Sequence, residues 1–229
     1  MKKYDAIILS GGKGTRVSKY TKKKPKCLID INGKPFLYYQ LKYLQKNSIK
    51  NIILSTGFKG NFIKNYVKKN IDFLNIKIVS DGKKLLGTGG AIKKSLKFLK
   101  DNFFIIYGDS YLNFKLKDLK KKNYHSVMAI YKNKNKYDIS NVQKKKLDFI
   151  VYNKEKKGNF AYIDYGVSYV NKKIFKQIRK TKFDLSILLE KVSKNNQLKG
   201  HVIKKRFYEI GSYNGIKQFK RFTKNAFHK

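Results

Sequence analysis

A glycine-rich segment follows the first apolar stretch of the chain and has the composition of a phosphate-binding loop. It reads Ser10-Gly11-Gly12-Lys13-Gly14-Thr15-Arg16. Glycines let backbone N–H groups converge on an anion, and open α/β sheets bind such ligands at the carboxyl ends of their strands. The spacing fits neither the dinucleotide-binding fingerprint nor a Walker loop, because the required third glycine and the Gly-Lys-Ser/Thr are missing. The segment therefore predicts a phosphate site of another kind.

Two further residues could act beside this loop. Lys26 lies in Pro25-Lys26-Cys27-Leu28, nine residues after Arg16, and Asp109 follows Gly108 where an apolar segment ends. The chain has only 14 Asp and Glu residues, so few carboxylates are available to hold a divalent cation. Asp109 is the best placed of them, although an acid in such a position can also cap a helix.

The spaced sequence formed by residues 11–16 and 25–28 resembles the signature of the sugar-nucleotide pyrophosphorylases, the nucleotidyltransferases that act on sugar 1-phosphates. Residues 86–91, Leu-Gly-Thr-Gly-Gly-Ala, are similar to the nucleotide-binding loop of that family. Tyr107-Gly108-Asp109 resembles the Gly-Asp that supplies its metal-binding carboxylate. The resemblance is strongest from residue 5 to residue 110. It implies that a sugar 1-phosphate oxygen attacks the α-phosphorus of an NTP and releases pyrophosphate, with Mg²⁺ as the cofactor.

The resemblance also implies roles for individual residues. Arg16 and Lys26 are the expected catalytic cations, Arg16 at the β- and γ-phosphates and Lys26 near the reacting α-phosphorus. The expected nucleotide-binding residues are Ser10, Gly11, Gly12, Lys13, Gly14, Thr15, Gly87, Thr88, Gly89 and Gly90. Two simpler alternatives stay open. A lysine at a loop tip is usually only solvated, and glycines before a helix can be an ordinary helix start.

The second half of the chain contains the expected second metal ligand and the acceptor site. The family usually has Asp followed by Gly-Thr after a late apolar strand, and the matching segment here is Glu209-Ile210-Gly211-Ser212. The resemblance therefore pairs Glu209 with Asp109 at Mg²⁺, with a side chain one methylene longer than the usual Asp. Residues 163–167 look like the family's sugar-phosphate region. The expected acceptor-binding residues are Asp164, Gly166 and Lys173.

These residues need a framework that brings distant segments together. In the first half, near-continuous apolar runs alternate with helical patterns, which is typical of buried parallel strands joined by right-handed crossovers. The predicted elements there are strands 5–9, 27–31, 51–56, 76–80 and 102–107, and helices 36–45, 61–68 and 91–100. The second half predicts antiparallel or mixed strands near 126–131, 137–142, 147–152, 160–170, 199–204 and 206–210, and helices near 172–178, 184–193 and 212–227.

The expected fold is a doubly wound α/β structure, with a mostly parallel, Rossmann-like mixed sheet and helices on both faces. A length of 229 residues, without an internal repeat or a Pro/Gly/Ser linker, predicts a single domain. Within it, residues 1–110 are the expected nucleotide-binding half and residues 111–229 the acceptor-binding half.

The net charge of +41 would ordinarily indicate nucleic-acid binding, but the kind of basic residue argues against it. Only four of the 55 are arginines, whose planar group reads bases and clamps phosphates, and the lysines are scattered. We therefore expect solvated lysine surfaces and no nucleic-acid partner. No apolar run approaches the length of a membrane span, no secretion signal precedes the first strand, and the single cysteine excludes an internal disulfide. A cytoplasmic protein without membrane insertion is expected.

The leading interpretation is a nucleotidyltransferase that uses GTP or CTP and a phosphorylated small-molecule acceptor. It is most similar to the heptose 1-phosphate guanylyltransferase type, which implies a role in capsule or surface-polysaccharide synthesis, and a homodimer is compatible with it. One alternative is a cytidylyltransferase acting on a non-sugar acceptor such as phosphocholine, which the glycines at 87–90 mildly disfavour. The other is a non-catalytic basic module that binds polyanions or nucleotides. The presence of Arg16, Lys26 and Asp109 together favours catalysis.

Overall fold

The structure is a computed structural model that describes residues 4–120, 126–155 and 158–227. The strands are β1 (Tyr4–Leu9), β2 (Asp30–Ile31), β3 (Lys34–Pro35), β4 (Ile49–Thr56), β5 (Asn75–Ser80), β6 (Asn102–Tyr107), β7 (Ser110–Tyr111), β8 (Ser126–Lys132), β9 (Val142–Lys144), β10 (Ile150–Tyr152), β11 (Tyr162–Asn171), β12 (Lys199–Val202) and β13 (Tyr208–Glu209). The α-helices are α1 (Ser18–Thr21), α2 (Phe36–Lys46), α3 (Gly60–Asn70), α4 (Gly87–Ser95), α5 (Lys117–Lys120), α6 (Leu185–Lys194) and α7 (Tyr213–Phe227). Short 3-10 helices are Thr15–Val17, Lys26–Leu28, Leu96–Phe98, Lys146–Asp148 and Lys172–Gln177.

One large sheet organises the chain. Its parallel part has the strand order β5-β4-β1-β6. β11 pairs antiparallel with β6, β8 pairs antiparallel with β11, and β12 runs parallel to β8. The antiparallel pair β9 and β10 adjoins the start of β11. Because β1 and β6 are parallel neighbours, the loops after Leu9 and Tyr107 leave the sheet side by side, which is where a ligand is expected.

Helices cover both faces of the sheet, because successive residues of a strand point to opposite sides. In β1, Ala6 and Ile8 pack into a core with side chains of α2, α3 and α7. Ile7, between them, packs into a second core with side chains of α4 and α6. The expected doubly wound, Rossmann-like α/β fold in a single domain is confirmed. Within the described ranges, no helix combines the length and apolar character needed to cross a bilayer.

The segment that carries Lys26 is a turn, whereas the sequence predicts a strand over 27–31. It is closed by hydrogen bonds from Leu28 N to Pro25 O (2.9 Å) and from Ile29 N to Lys26 O (3.0 Å), and only Asp30–Ile31 is a strand. The prediction is wrong over 27–29 because these apolar side chains are buried in a turn. A short apolar run indicates burial without specifying the backbone conformation.

The strand predicted over 137–142 is also largely a turn. Asn133 Nδ2 donates to Ser140 Oγ at 3.1 Å, and Asn135 Oδ1 accepts from Ser140 N at 2.7 Å, so local side chains close the loop and β9 begins only at Val142. The helix predicted over 172–178 is the 3-10 helix at 172–177. The other predicted elements are present with shifted ends.

Candidate active site

A cavity of about 390 Å³ opens at the carboxyl ends of β1 and β6. A volume of this size is typical of sites for small ligands. Its walls come from the glycine-rich loop after β1, the turn after β6, the start of α4, the end of β10 and the start of α6. Its lining includes Ser10, Gly11, Gly12, Gly14, Lys26, Cys27, Asp81, Gly87, Thr88, Tyr107, Asp109, Tyr152, Lys154 and Asp184.

The loop after β1 is held in place by contacts on its outer side. Gly14 has a left-handed backbone (φ +67°), which favours glycine, and its carbonyl accepts from Val17 N (3.1 Å) and Thr21 Oγ1 (3.0 Å). Gly12 has nothing within 4 Å of where a Cβ would lie, so this part of the loop faces open space. Among the residues predicted here, Ser10, Gly11, Gly12 and Gly14 line the cavity, whereas Lys13 and Thr15 are exposed outside it.

Lys26 and Asp109 form an ion pair in the cavity, with 2.6 Å between Lys26 Nζ and Asp109 Oδ2. Their side chains keep 17% and 29% of their surface exposed. Burial alone would raise the pKa of Asp109, but the charge and hydrogen bond of Lys26, together with the charge of Arg16, hold that pKa below its usual value. Asp109 is therefore ionised near neutral pH, which is the form that binds a divalent cation.

Strand pairing brings Glu209 next to Asp109. β13 pairs antiparallel with β7, the strand directly after Asp109, and Ile210 N donates to the Asp109 carbonyl at 3.0 Å. The Glu209 carboxylate accepts hydrogen bonds from Gly211 N, from Ser212 N (3.0 Å) and from Ser212 Oγ. In this orientation the carboxylate stabilises the turn before α7 and does not line the cavity.

Arg16 lies beside Glu209 and also outside the cavity lining. A Cβ placed on Gly211 would lie 2.7 Å from Glu209 Oε2 and 3.2 Å from both Arg16 Nη2 and Lys26 Nζ. The two predicted catalytic cations and the two predicted metal carboxylates thus converge next to this glycine. A side chain at Gly211 would occupy the space between the charged groups.

Only part of the second glycine cluster reaches the cavity. Its four residues are the first turn of α4, and only Gly87 and Thr88 line the cavity. Gly89 N and Gly90 N donate to Phe183 O at 3.0 and 3.2 Å, and a Cβ on Gly89 would lie 2.2 Å from the Phe183 ring. Gly89 and Gly90 therefore allow α4 to pack closely on the segment before α6. The structure does not bring them to the cavity.

Two predicted acceptor residues lie behind the cavity lining. Asp164 Oδ2 accepts from Tyr107 Oη at 2.9 Å, and Asp164 Oδ1 accepts from Gly166 N at 2.8 Å. Burial raises the pKa of Asp164 to about 6, although both hydrogen bonds act in the opposite direction. Gly166 has φ +92° at an irregularity of β11, where a Cβ would lie 2.4 Å from Ser110 Oγ, so its backbone conformation and the close approach of the Ser110 side chain both favour glycine.

Lys173 lies at the opposite end of the sheet from the cavity. β11 runs antiparallel to β6, so Asn171 at its end pairs with Asn102 at the beginning of β6. Lys173 follows in an exposed 3-10 turn, with its N–H bonded to Asn171 Oδ1 at 2.9 Å. The structure contradicts its placement in the acceptor site, because ten residues of β11, at roughly 3.3 Å each, carry the chain across the sheet.

Several lining residues are absent from the sequence prediction. Lys154 Nζ and Asp184 Oδ2 form an ion pair at 2.8 Å, and Asp184 Oδ1 accepts from Thr88 Oγ1 at 3.1 Å. Burial acts against ionisation of Asp184, but Lys154 and the N–H of Ser186 outweigh it and lower its pKa. Asp81, which accepts from the N–H of the residue before α4 at 3.1 Å, has a pKa raised by burial.

Some of these residues carried a usable sequence signal. Tyr107 directly precedes Gly108 and Asp109, so its position at the end of β6 follows from the motif itself. Asp184 precedes the apolar pattern of α6, where a helix cap is expected, and its side chain does accept from Ser186 N. Lys154 follows a short strand without any motif, so nothing in its neighbourhood indicates a site.

The carboxylate pair Asp109 and Glu209 suits a magnesium ion. Mg²⁺ is bound through one or two carboxylates, and water and substrate phosphates complete its shell. Asp109 faces the cavity as an ionised oxygen ligand, whereas Glu209 has to turn from the α7 side to join it.

Burial raises the pKa of Cys27 to about 12, so this lining residue is a neutral thiol. Within the described part of the chain, no cluster of three or more His, Cys, Asp or Glu offers another metal site.

The chain is similar to known nucleotidyltransferases. The family model for nucleotidyl transferases matches residues 5–182. Over 210 residues, the chain is 35% identical to D-glycero-alpha-D-manno-heptose 1-phosphate guanylyltransferase of Campylobacter jejuni subsp. jejuni serotype O:2, covering 90% of this chain and 94% of that one. It is 32% identical over 136 residues to glucose-1-phosphate cytidylyltransferase of Salmonella typhimurium, covering 49% and 52% of the two chains.

The similarity to a solved structure extends over almost the whole fold. HddC from Yersinia pseudotuberculosis, crystallised in complex with GMP-PN, superposes on this chain with a TM-score of 0.83 at 26% identity, covering 96% of this chain and 99% of that one. The family match includes both glycine-rich segments, Lys26 and Asp109. The chain therefore belongs to the nucleotidyl transferase family, and it is a nucleotidyltransferase of the sugar-nucleotide pyrophosphorylase kind.

Proposed function

We propose that this protein transfers a guanylyl group from GTP to a sugar 1-phosphate in a Mg²⁺-dependent reaction that gives a GDP-sugar and pyrophosphate. The observation that carries the proposal is the Lys26–Asp109 ion pair in one cavity with Gly11 and Gly12. The transfer of a guanylyl group between two anions requires a cation, an ionised carboxylate and an open glycine loop. The preference for GTP over CTP is supported by the guanylyltransferase relative and by the GMP-PN complex of HddC.

Charge neutralisation and alignment are the main work of the side chains. The acceptor phosphate and the NTP repel each other, so Lys26, already desolvated beside Asp109, lowers the cost of bringing an acceptor oxygen in line with the α-phosphorus. Arg16, which lies near Lys26 beside Gly211, offers its planar guanidinium group to the phosphates that leave as pyrophosphate. Gly12, whose surroundings are open, lets the backbone approach the nucleotide phosphates.

Asp109 and Glu209 are the residues that would hold Mg²⁺. When bound, the ion would offset the negative charge of the substrate phosphates. Asp109 already faces the cavity as a carboxylate. For Glu209, the test is the Mg²⁺ concentration dependence of activity: Glu209→Asp should preserve or raise activity if this carboxylate binds the ion. Unchanged Mg²⁺ dependence in Glu209→Gln would exclude it from the metal site.

A heptose 1-phosphate is the first acceptor to test, because the relative similar over almost its full length is named for that substrate. The product would then supply a capsule or surface polysaccharide, and the reaction would take place in the cytoplasm.

The test is pyrophosphate release with Mg²⁺, measured separately for GTP, CTP, UTP, ATP and dTTP against sugar 1-phosphates and phosphorylated small alcohols. We expect release with GTP and a sugar 1-phosphate, and none with Asp109→Asn under the same conditions. Release with CTP and phosphocholine alone would replace the proposal by the non-sugar cytidylyltransferase. If calorimetry showed that GTP binds but no acceptor led to pyrophosphate release, that result would contradict catalysis.

A further inference from the structure

A chain of hydrogen-bonded side chains lies behind the cavity, and the transfer chemistry described above does not use it. Tyr107 and Tyr152 line the cavity. Tyr107 Oη donates to Asp164 Oδ2 at 2.9 Å, and Asp164 is held in turn by Gly166 N at 2.8 Å. Because Asp164 does not line the cavity, it acts on a ligand through Tyr107.

The direction of these hydrogen bonds determines which groups the cavity can recognise. A carboxylate only accepts, and a phenol carries one proton, so the proton of Tyr107 is committed to Asp164. Tyr107 has therefore used its proton within the protein, and only lone pairs of its oxygen remain for a ligand. A ligand group that meets this oxygen must be a donor, as a hydroxyl is.

The sheet places these phenols away from the nucleotide loop. In the order β1-β6-β11, the glycine loop follows β1, Tyr107 ends β6, and Asp164 belongs to β11 on the far side of β6. Tyr152 ends β10, beyond β11, two residues before Lys154 of the cavity wall. A nucleotide seated on the loop after β1 leaves the region of the tyrosines to the second substrate.

Resting on the proposed function, we infer that Tyr107 is a specificity-determining residue that accepts a hydrogen bond from a hydroxyl of the acceptor, and that Asp164 is the residue that positions it. The acceptor class is then a polyhydroxylated phosphate such as a sugar 1-phosphate. Phosphocholine is a poor acceptor, because it carries no hydroxyl donor and its binding would leave the lone pairs of Tyr107 Oη without a hydrogen-bond donor.

The first experiment compares Tyr107→Phe with the wild type in steady-state kinetics. The substitution should raise the KM for the sugar 1-phosphate about three- to tenfold, the amount that one neutral hydrogen bond supports, while the KM for GTP stays unchanged. For the wild type, a sugar 1-phosphate that lacks the contacting hydroxyl should have a KM raised by the same factor. For the variant, removing this hydroxyl should not raise the KM any further. Tyr39→Phe is the matched control, because it removes a buried hydroxyl that donates to Ile31 O at 2.8 Å in another part of the core.

The second experiment tests the positioning role of Asp164. Asp164→Ala removes the acceptor of the Tyr107 proton and should raise the acceptor KM as Tyr107→Phe does. Asp164→Asn keeps an oxygen that accepts this proton and should restore much of the wild-type KM. If Asp164 had only a structural role, its variants would change thermal stability and kcat together. The KM for the acceptor would then not change separately from the KM for GTP.

The outcomes separate this inference from the function on which it depends. A wild-type protein that releases no pyrophosphate with any acceptor contradicts the proposed function and the inference with it. An active wild type whose acceptor KM is unchanged by Tyr107→Phe overturns the inference alone. So does phosphocholine turnover equal to that of the sugar 1-phosphate, which would indicate recognition of the cation by the tyrosine rings.

Discussion

Gly90→Ala should destabilise the protein, although alanine is the better helix former. Gly90 lies inside α4, where alanine would stabilise by about 1 kcal/mol if space allowed. A Cβ there would lie 2.2 Å from the Thr181 carbonyl oxygen and 3.1 Å from Leu86 Cβ, whereas ordinary contact begins at 3.4 Å. The obstacle is backbone, so the segment before α6 must shift by about 1 Å in a densely packed interior.

The size of the effect follows from two opposing terms. Overpacking of this kind costs about 1–3 kcal/mol, and more where backbone has to move. After the gain in helix propensity, we expect a net loss of about 1–2 kcal/mol for Gly90→Ala. In a chain of this length, that lowers the Tm by roughly 2–8 °C, which calorimetry and chemical denaturation can both measure.

Gly12→Ala is the matched control, because nothing lies within 4 Å of its Cβ position and its backbone is not left-handed. Its Tm should stay within about 2 °C of the wild type. A Gly90→Ala protein as stable as the wild type would refute the steric reasoning. Equal destabilisation by both substitutions would refute it as well, because the loss would then come from replacing any glycine.

Three other perturbations have expected outcomes. Gly12→Ala should lower kcat/KM for the NTP at least tenfold at unchanged Tm, because its Cβ points into the space left for phosphates; normal kinetics would exclude a phosphate role for this position. Asp109→Asn should reduce pyrophosphate release at least about a hundredfold with the circular dichroism spectrum preserved, and near-normal turnover would exclude its metal role. The raised pKa of Asp164 contributes relative stability that is present below the unfolded pKa and is lost as pH rises through about 6. The unfolding free energy of the wild type, compared with Asp164→Asn, should therefore increase by about 1 kcal/mol from pH 7 to pH 5 in denaturant titrations, and a constant difference would contradict that burial effect.

The parallel half of the fold could be predicted because its signals are local. The apolar run at 5–9 corresponds to β1. Residues on its two faces pack into two different cores, so apolar and polar residues do not alternate along the strand. Lys26 and Asp109 could be chosen from spacing and from the glycine that precedes Asp109. The same signals left the backbone around Lys26 undetermined, because a buried turn and a buried strand have equally apolar sequences.

The rest depends on partners far away in sequence. Whether Gly89 and Gly90 approach a ligand or another segment is decided by Phe183, whose position the local pattern does not indicate. Lys173 was assigned to the acceptor site because it follows Asp164 closely, but the direction of β11 carries it to the other end of the sheet. The sequence predicts that Asp164 touches the acceptor itself, but Asp164 does not line the cavity and accepts a hydrogen bond from Tyr107, which does.

The pairing of β7 with β13 has a consequence for how the protein is made. A chain is synthesised from its N-terminus, so Lys26 and Asp109 leave the ribosome long before Tyr208 and Glu209 exist. In that interval β6, whose residues 103–106 are all apolar, also lacks its neighbour β11 and presents an open edge of a kind prone to aggregation. Truncated or stalled products that end before β13 should therefore be prone to aggregate, and they lack Glu209, which comes next to Asp109 only when the last strand pairs with β7.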